Sequence, residues 1–348
     1  MEDLKKIIDY YIKIGLYPGV EWKINYKENI FFGKSGYLDI NKKKPITENT
    51  IYRIWSMTKP IVSIVALQLV EENKIKLSDP ITNYLPQFNN LKVLRNEHSK
   101  IDDVVDLINI PTIKDLLSHT AGFSYNFIGN SIAKEYDKLG LFHSDKTTLE
   151  EEVDLLSKLP LLCEPSTKWI YSVSIDVLAR IIEIITNNNL QSELKKRIFD
   201  PLEMKNTGFI VDPKNYENIM TQYEFDSIKK KLNDPLSRSQ KIAGFGYPIN
   251  EATYARGGHG LFSTLNDFSK FTQMLLSGMS KKGQRIISKK MLLQATTNHL
   301  NLSFLPIEIK NFDVDVVTEN DLAAYGWGLG FRVLTNLNKA KGIGSIGE

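Results

Sequence analysis

The chain has 348 residues, 42% of them hydrophobic and 24% charged, enough for one large core or two packed subdomains. Its 44 basic and 41 acidic residues are well mixed and leave a net charge of +3, which excludes the strong field that nucleic acid or an anionic membrane surface would need. A single cysteine, Cys163, excludes an internal disulfide, fits a reducing compartment and reads as a small buried hydrophobe.

The opening "MEDLKKIIDYYIKIG" repeats its apolar residues, Leu4, Ile7, Ile8, Tyr11 and Ile12, with helical period and is an amphipathic helix rather than a signal peptide. No run of about 18 apolar residues follows, so no membrane span and a cytoplasmic location are predicted. "GVEWKINY" and "IFFGKSGYLDI" are strand-like and joined as a hairpin. From "YRIWSMTKP" onward comes a helix whose apolar face holds Ile61, Ile64, Val65 and Leu69, broadened by Val62, Leu67 and Val70. The block from about 80 to 255 is helical and rich in loops. It contains a short helix in "TIKDLLSHTAGF" closed by Gly122, a second from Thr148 to Pro160, a third in "SIDVLARIIEIITNNN", and "LQSELKKRIFDPL" ending at Pro201. Glycines return in "RGGHGLFSTLNDFSKFTQMLL", a loop and then a helix, with Thr264 and Asp267 at capping-box spacing. "GWGLGFRVL" is one strand, and "GIGSIGE" starts another. Strands at both ends with helices between predict an α/β subdomain from 1–75 and 255–348 around a helical subdomain at 76–254.

Ser-x-x-Lys occurs four times, at Ser56/Lys59, Ser131/Lys134, Ser192/Lys195 and Ser227/Lys230, so the triplet alone carries little. The first is set apart by Pro60, which a helix tolerates only in its first turn, where N–H groups have no intrahelical acceptor. Ser56 therefore lies at the positive end of a helix, with Lys59 on the same face. A serine hydroxyl needs a base, and a lysine could serve if burial or a second cation lowered its pKa. The competing reading makes Ser56 a helix cap and Lys59 a solvated charge.

Longer blocks decide between these. "IYRIWSMTKPIVSIVALQLVEENKIKLSDPITNYLPQF" resembles the nucleophile segment of the serine β-lactamase and penicillin-binding protein superfamily, most closely its class C-like esterases, the family VIII carboxylesterases. "IKDLLSHTAGF", "LPLLCEPSTKWIYSVSIDVLARIIE", "IFDPLEMKNTGF", "GGHGLFSTLNDFSKFTQMLL" and "GWGLGF" recur in that family in the same order. The resemblance implies an α+β, β-lactamase/transpeptidase-like fold, an antiparallel sheet flanked by helices with a helical subdomain, as one unit overall. It also implies that Ser56 is acylated, that Lys59 assists its deprotonation, and that Tyr171 of "YSVS" is the base, as a phenolate stabilised by lysine charge. No cofactor and no metal are implied, and the partner is a small ester or amide; oligomeric state is not legible.

Two departures shape the substrate reading. Class C β-lactamases carry Tyr-x-Asn at the tyrosine motif; here the third position is Val173, which cannot bond an amide side chain, and this favours esters. The family's third motif, a Lys-Thr-Gly, His-x-Gly or Trp-x-Gly whose backbone N–H completes the oxyanion hole, follows a segment like "GSIGE" in relatives, and the chain reaches Glu348 without it. Losing one oxyanion donor lowers the rate by about 10²–10³. The alternatives are therefore a β-lactamase or D-Ala-D-Ala carboxypeptidase-like enzyme, and a non-catalytic scaffold of the same fold. His98, His119, His143, His259 and His299 lack metal-ligand spacing, and His119 and His259 are assigned to structure. Gly257, Gly258 and Gly260 are assigned to packing.

Overall fold

A computed structural model describes residues 2–26, 29–128, 130–142, 147–223, 225–226, 229–233, 255–309 and 320–340. The first helix, α1 (Glu2–Lys13), lies against a hairpin of β1 (Gly19–Tyr26) and β2 (Asn29–Asp39), to which β3 (Lys44–Pro45) adds a third strand. The register runs from Gly19 opposite Gly36 to Tyr26 opposite Asn29. Next, β4 (Ile51–Arg53) leads into α2 (Thr58–Glu71), the central helix. From Ile61 to Leu69 α2 is apolar apart from Ser63 and Gln68, and every residue of that stretch is buried.

The middle of the chain supplies helices and short ladders. β5 (Lys92–Leu94) pairs with β6 (Val104–Asp106). α3 (Ile113–Ser118) starts at a full capping box between Thr112 and Asp115. It stops one turn before Gly122: His119, in the left-handed region at φ 56, is its C-cap. α4 (Ser131–Leu139) was not anticipated, being short and largely polar; Asn130 caps it and Gly140 ends it. α5 (Leu149–Leu156) carries the second full capping box, Thr148 with Glu151. α6 (Ser174–Thr186) and α7 (Leu190–Leu194) follow, the latter continuing into a widened turn at Lys195–Phe199.

Two small ladders, β7 (Phe225–Asp226) with β8 (Lys231–Leu232) and β9 (Phe262–Thr264) with β4, are antiparallel like the others. The β4–β9 pairing ties the segment before Ser56 to the glycine segment 257–260. Thr264 caps the helix Leu265–Ser277, but the capping box is only half made. The Asp267 carboxylate turns instead to the Asn206 amide (2.7 Å) and Lys270 (2.9 Å). "GWGLGFRVL" is not one strand but a hairpin, β10 (Tyr325–Trp327) and β11 (Arg332–Leu334), turning at Gly330 with φ +88. "GSIGE" lies outside the described residues.

One hydrophobic cluster runs from Ile54 through α2, α3, α5 and α6 to Leu329, so the segment leading into α2 and the β10–β11 turn share one core. Cys163 is half-buried rather than buried, and burial pushes its thiol up to about 11. No helix among the described residues is long and apolar enough to cross a membrane.

Candidate active site

The turn from β4 into α2 is tight. Trp55 sits at φ 46, a sparsely populated conformation for a bulky residue, and its ring stacks on His259 at 6.3 Å. This turn leaves Ser56 exposed in a short 3-10 segment, Trp55–Met57, just ahead of α2. Lys59, one residue into α2, is only 3% exposed.

The three N–H donors of the Lys59 ammonium meet three acceptors: Ser56 Oγ at 3.3 Å, the Tyr125 hydroxyl at 2.9 Å and the Gly258 carbonyl at 2.8 Å. Its Nζ also lies 4.7 Å from the centre of the Tyr171 ring and 5.1 Å from that of Tyr125, within cation–π range. The three residues singled out from sequence, Ser56, Lys59 and Tyr171, are thus brought together. Among the described residues the Tyr171 hydroxyl makes no hydrogen bond; the phenol that touches Lys59 is Tyr125. Tyr125 was missed. It lies two residues beyond "IKDLLSHTAGF", and among 15 tyrosines nothing local marked it. Gly258 was assigned to packing, yet its carbonyl is an acceptor for Lys59.

An aromatic wall stands behind these groups. Trp169, Tyr171, Trp327 and His119 pack with ring centres 4.9–6.4 Å apart. His119 is fully buried, and burial together with the Lys59 charge holds it well below the usual imidazole range, so it is neutral. Its Nδ1 accepts from the Ser172 amide at 3.3 Å, which leaves the proton on Nε2. Val173 is fully buried in the main cluster and presents no polar atom to the site.

A cavity of about 440 Å³ opens beside Tyr171, lined by Ile128, Trp169, Ile170, Phe304 and Ile307, with Lys168 and Glu308 at its edge. A larger cleft of about 580 Å³, around Arg180 and Asn187–Asn189, shares no residue with this cluster, and its Arg180 already pairs with Glu183 at 3.2 Å. The smaller cavity, with Tyr171 in its lining, is the one that adjoins the Lys59 cluster. Among the described residues no group of three His, Cys, Asp or Glu side chains could hold a metal.

The family model described as Beta-lactamase matches residues 4–334. The chain belongs to the Beta-lactamase family. It is 31% identical over 240 residues to the lovastatin esterase of Penicillium rubens, covering 68% of this chain and 57% of that protein. It is 29% identical over 261 residues to a putative D-alanyl-D-alanine carboxypeptidase of Salmonella typhi, covering 72% of this chain and 56% of that one. The chain thus spans little more than half the length of these two relatives. Among solved structures it resembles EstCE1, a hydrolase with promiscuous acyltransferase activity, with a TM-score of 0.76 and 23% identity, covering 99% of this chain and 86% of that one. That likeness confirms the β-lactamase-type fold.

Proposed function

We propose that this chain is a serine hydrolase that forms an acyl-enzyme on Ser56 and passes the acyl group to water or to an alcohol, with small carboxylic esters as substrates. The observation that carries this reading is the buried Lys59 ammonium group held against an exposed Ser56 hydroxyl at 3.3 Å. A lysine kept only for solubility would not be withdrawn from water with each of its three donors bonded.

In this reading Ser56 Oγ attacks the ester carbonyl carbon while its proton passes to Tyr171, acting as a phenolate whose charge the Lys59 ammonium balances. The tetrahedral oxyanion forms at the positive end of α2. The C–O bond to the alcohol breaks, and the proton returns to the departing alkoxide. Water or a second alcohol then attacks the acyl-Ser56 ester by the reverse route. Tyr171 serves as the base, and Tyr125 anchors Lys59. The cavity beside Tyr171 accommodates the apolar part of the substrate; its aromatic lining suits an acyl or alcohol group larger than acetate or methanol.

Esterase and acyltransferase names among the similar proteins support the ester reading. So does Val173, buried in the core where an amide-reading side chain would be needed. The carboxypeptidase-like alternative draws on the Salmonella relative. Intact mass spectrometry after exposure to a fluorophosphonate separates these readings from a scaffold role. One adduct, absent from Ser56→Ala, is expected. Adduct formation with p-nitrophenyl ester turnover but no D-Ala-D-Ala cleavage supports the esterase; equal labelling of Ser56→Ala would sink the assignment of the nucleophile.

A further inference from the structure

Asp176 lies in the first turn of α6 and none of its surface is exposed. Its Oδ1 accepts from the Gly258 amide at 2.8 Å. Its Oδ2 is buried and accepts no hydrogen bond from any described residue. The carbonyl of that same Gly258 holds Lys59 Nζ at 2.8 Å, so one residue stands between the carboxylate and the ammonium. The approach is close: a Cβ on Gly258 would lie 2.4 Å from Asp176 Oδ2 and 2.6 Å from the Tyr125 hydroxyl. A role in packing alone does not require a carboxylate here, since an amide oxygen would accept the Gly258 bond equally well and without the burial of a charge.

We infer that Asp176 is a positioning residue for the Ser56–Lys59 site: as a carboxylate it supplies, across Gly258, the negative charge that keeps the Lys59 ammonium turned onto Ser56, and its protonation releases that hold and sets the acidic limb of activity. This rests on the serine-hydrolase reading above. The charged groups acting on Asp176 are Lys59 from α2, Arg256 from the segment that carries Gly258, and Glu152 from α5; the Tyr125 hydroxyl lies close by, and His259 follows Gly258 in the chain. Burial pushes the Asp176 carboxyl up to about 6, against the opposing pull of Lys59, the Gly258 amide and Arg256, and with a smaller push from Glu152. Activity that follows the ionised fraction is nearly full at pH 7 and falls about tenfold by pH 5.

The experiment is the rate at which a fluorophosphonate modifies Ser56, followed by intact mass from pH 5 to 8, on the full chain, Asp176→Asn and His259→Gln. The wild type is expected to show a one-proton limb with its midpoint near 6. Asp176→Asn is expected to react about tenfold more slowly at pH 7.5, with no limb, and to melt no lower than wild type at that pH. His259→Gln is expected to keep the midpoint. A flat wild-type profile, a limb that persists in Asp176→Asn, or a wild-type rate in that variant overturns the inference. If Asp176→Asn does not fold, Asp176→Glu decides: a displaced midpoint supports the inference and an unmoved one overturns it. No adduct at any pH would instead remove the serine-hydrolase reading itself.

Discussion

The segment Ala255–Gly258 touches two buried acids, and it treats them differently. Arg256 meets Glu152 directly, at 2.9 and 2.7 Å, with both side chains shut off from solvent. Glu152 also accepts from the Phe142 amide (2.9 Å) and the Thr147 hydroxyl (2.6 Å). Burial raises its carboxyl, and Arg256 and these donors draw it back. That pair is closed; its charges cancel where they stand. Two residues on, Gly258 separates Asp176 from Lys59, and one carboxylate oxygen is left without a donor among the described residues. A closed pair fixes the loop. A split pair leaves the ammonium free to point at Ser56. The same stretch of backbone thus meets one acid in a direct ion pair and the other only through an amide.

The first way to sharpen that comparison lies on the chemical side, in the two tyrosines around Lys59. Tyr171→Phe is expected to lower kcat for an ester by about 10²–10⁴, the usual contribution of a general base. Tyr125→Phe removes one bond to a charged group and is expected to lower it by roughly 10–100-fold. A larger loss in Tyr125→Phe would exchange their roles.

On the structural side, Arg256→Met leaves Glu152 buried and unpaired, and urea unfolding should show a loss of about 3–5 kcal/mol. Adding Glu152→Leu to Arg256→Met should recover most of that loss. A double variant no more stable than the single would mean that the loop needs this ion pair for its conformation.

The split pair predicts the opposite sign. The folded carboxyl of Asp176 is raised to about 6 from 3.8, so its contribution is fully present below pH 3.8 and is lost as pH rises through 6. Asp176→Asn has no such loss. It is expected to be more stable than wild type at pH 8, by at most about 3 kcal/mol, with the difference vanishing near pH 4. Melting temperature against pH reads this directly. The smallest effect expected is Thr148→Ala, which removes the α5 cap beside the closed pair and should lower stability by about 1 kcal/mol with kcat unchanged.

Much of the frame was legible because it is local. The α1 periodicity, the β1–β2 hairpin, the start of α5 at Thr148 and the placement of Pro60 in the first turn of α2 each depend on residues within a few positions of one another. Where local signals erred, a distant contact had intervened. Asp267 left its capping box for the Asn206 amide, and α3 ended early at a His119 that bonds Ser172. "GWGLGFRVL" reads as a single strand because its apolar pattern does not reveal that Gly330 turns the chain back.

The sequence by itself determined the helix that starts at the Ser56–Lys59 pair, and the blocks that mark the family, since Pro60 is tolerated only in a first turn. Only the tertiary structure decided what surrounds them. Lys59 finds Tyr125 66 residues away and Gly258 199 residues away, and Asp176 reaches Gly258 across 82. Such bonds carry no periodic signature, because they arise where separate elements are pressed together by a shared core. In that setting a carboxylate and an ammonium from separate segments meet at one glycine, and two aromatic rings close on the ammonium, which a four-residue pattern cannot announce.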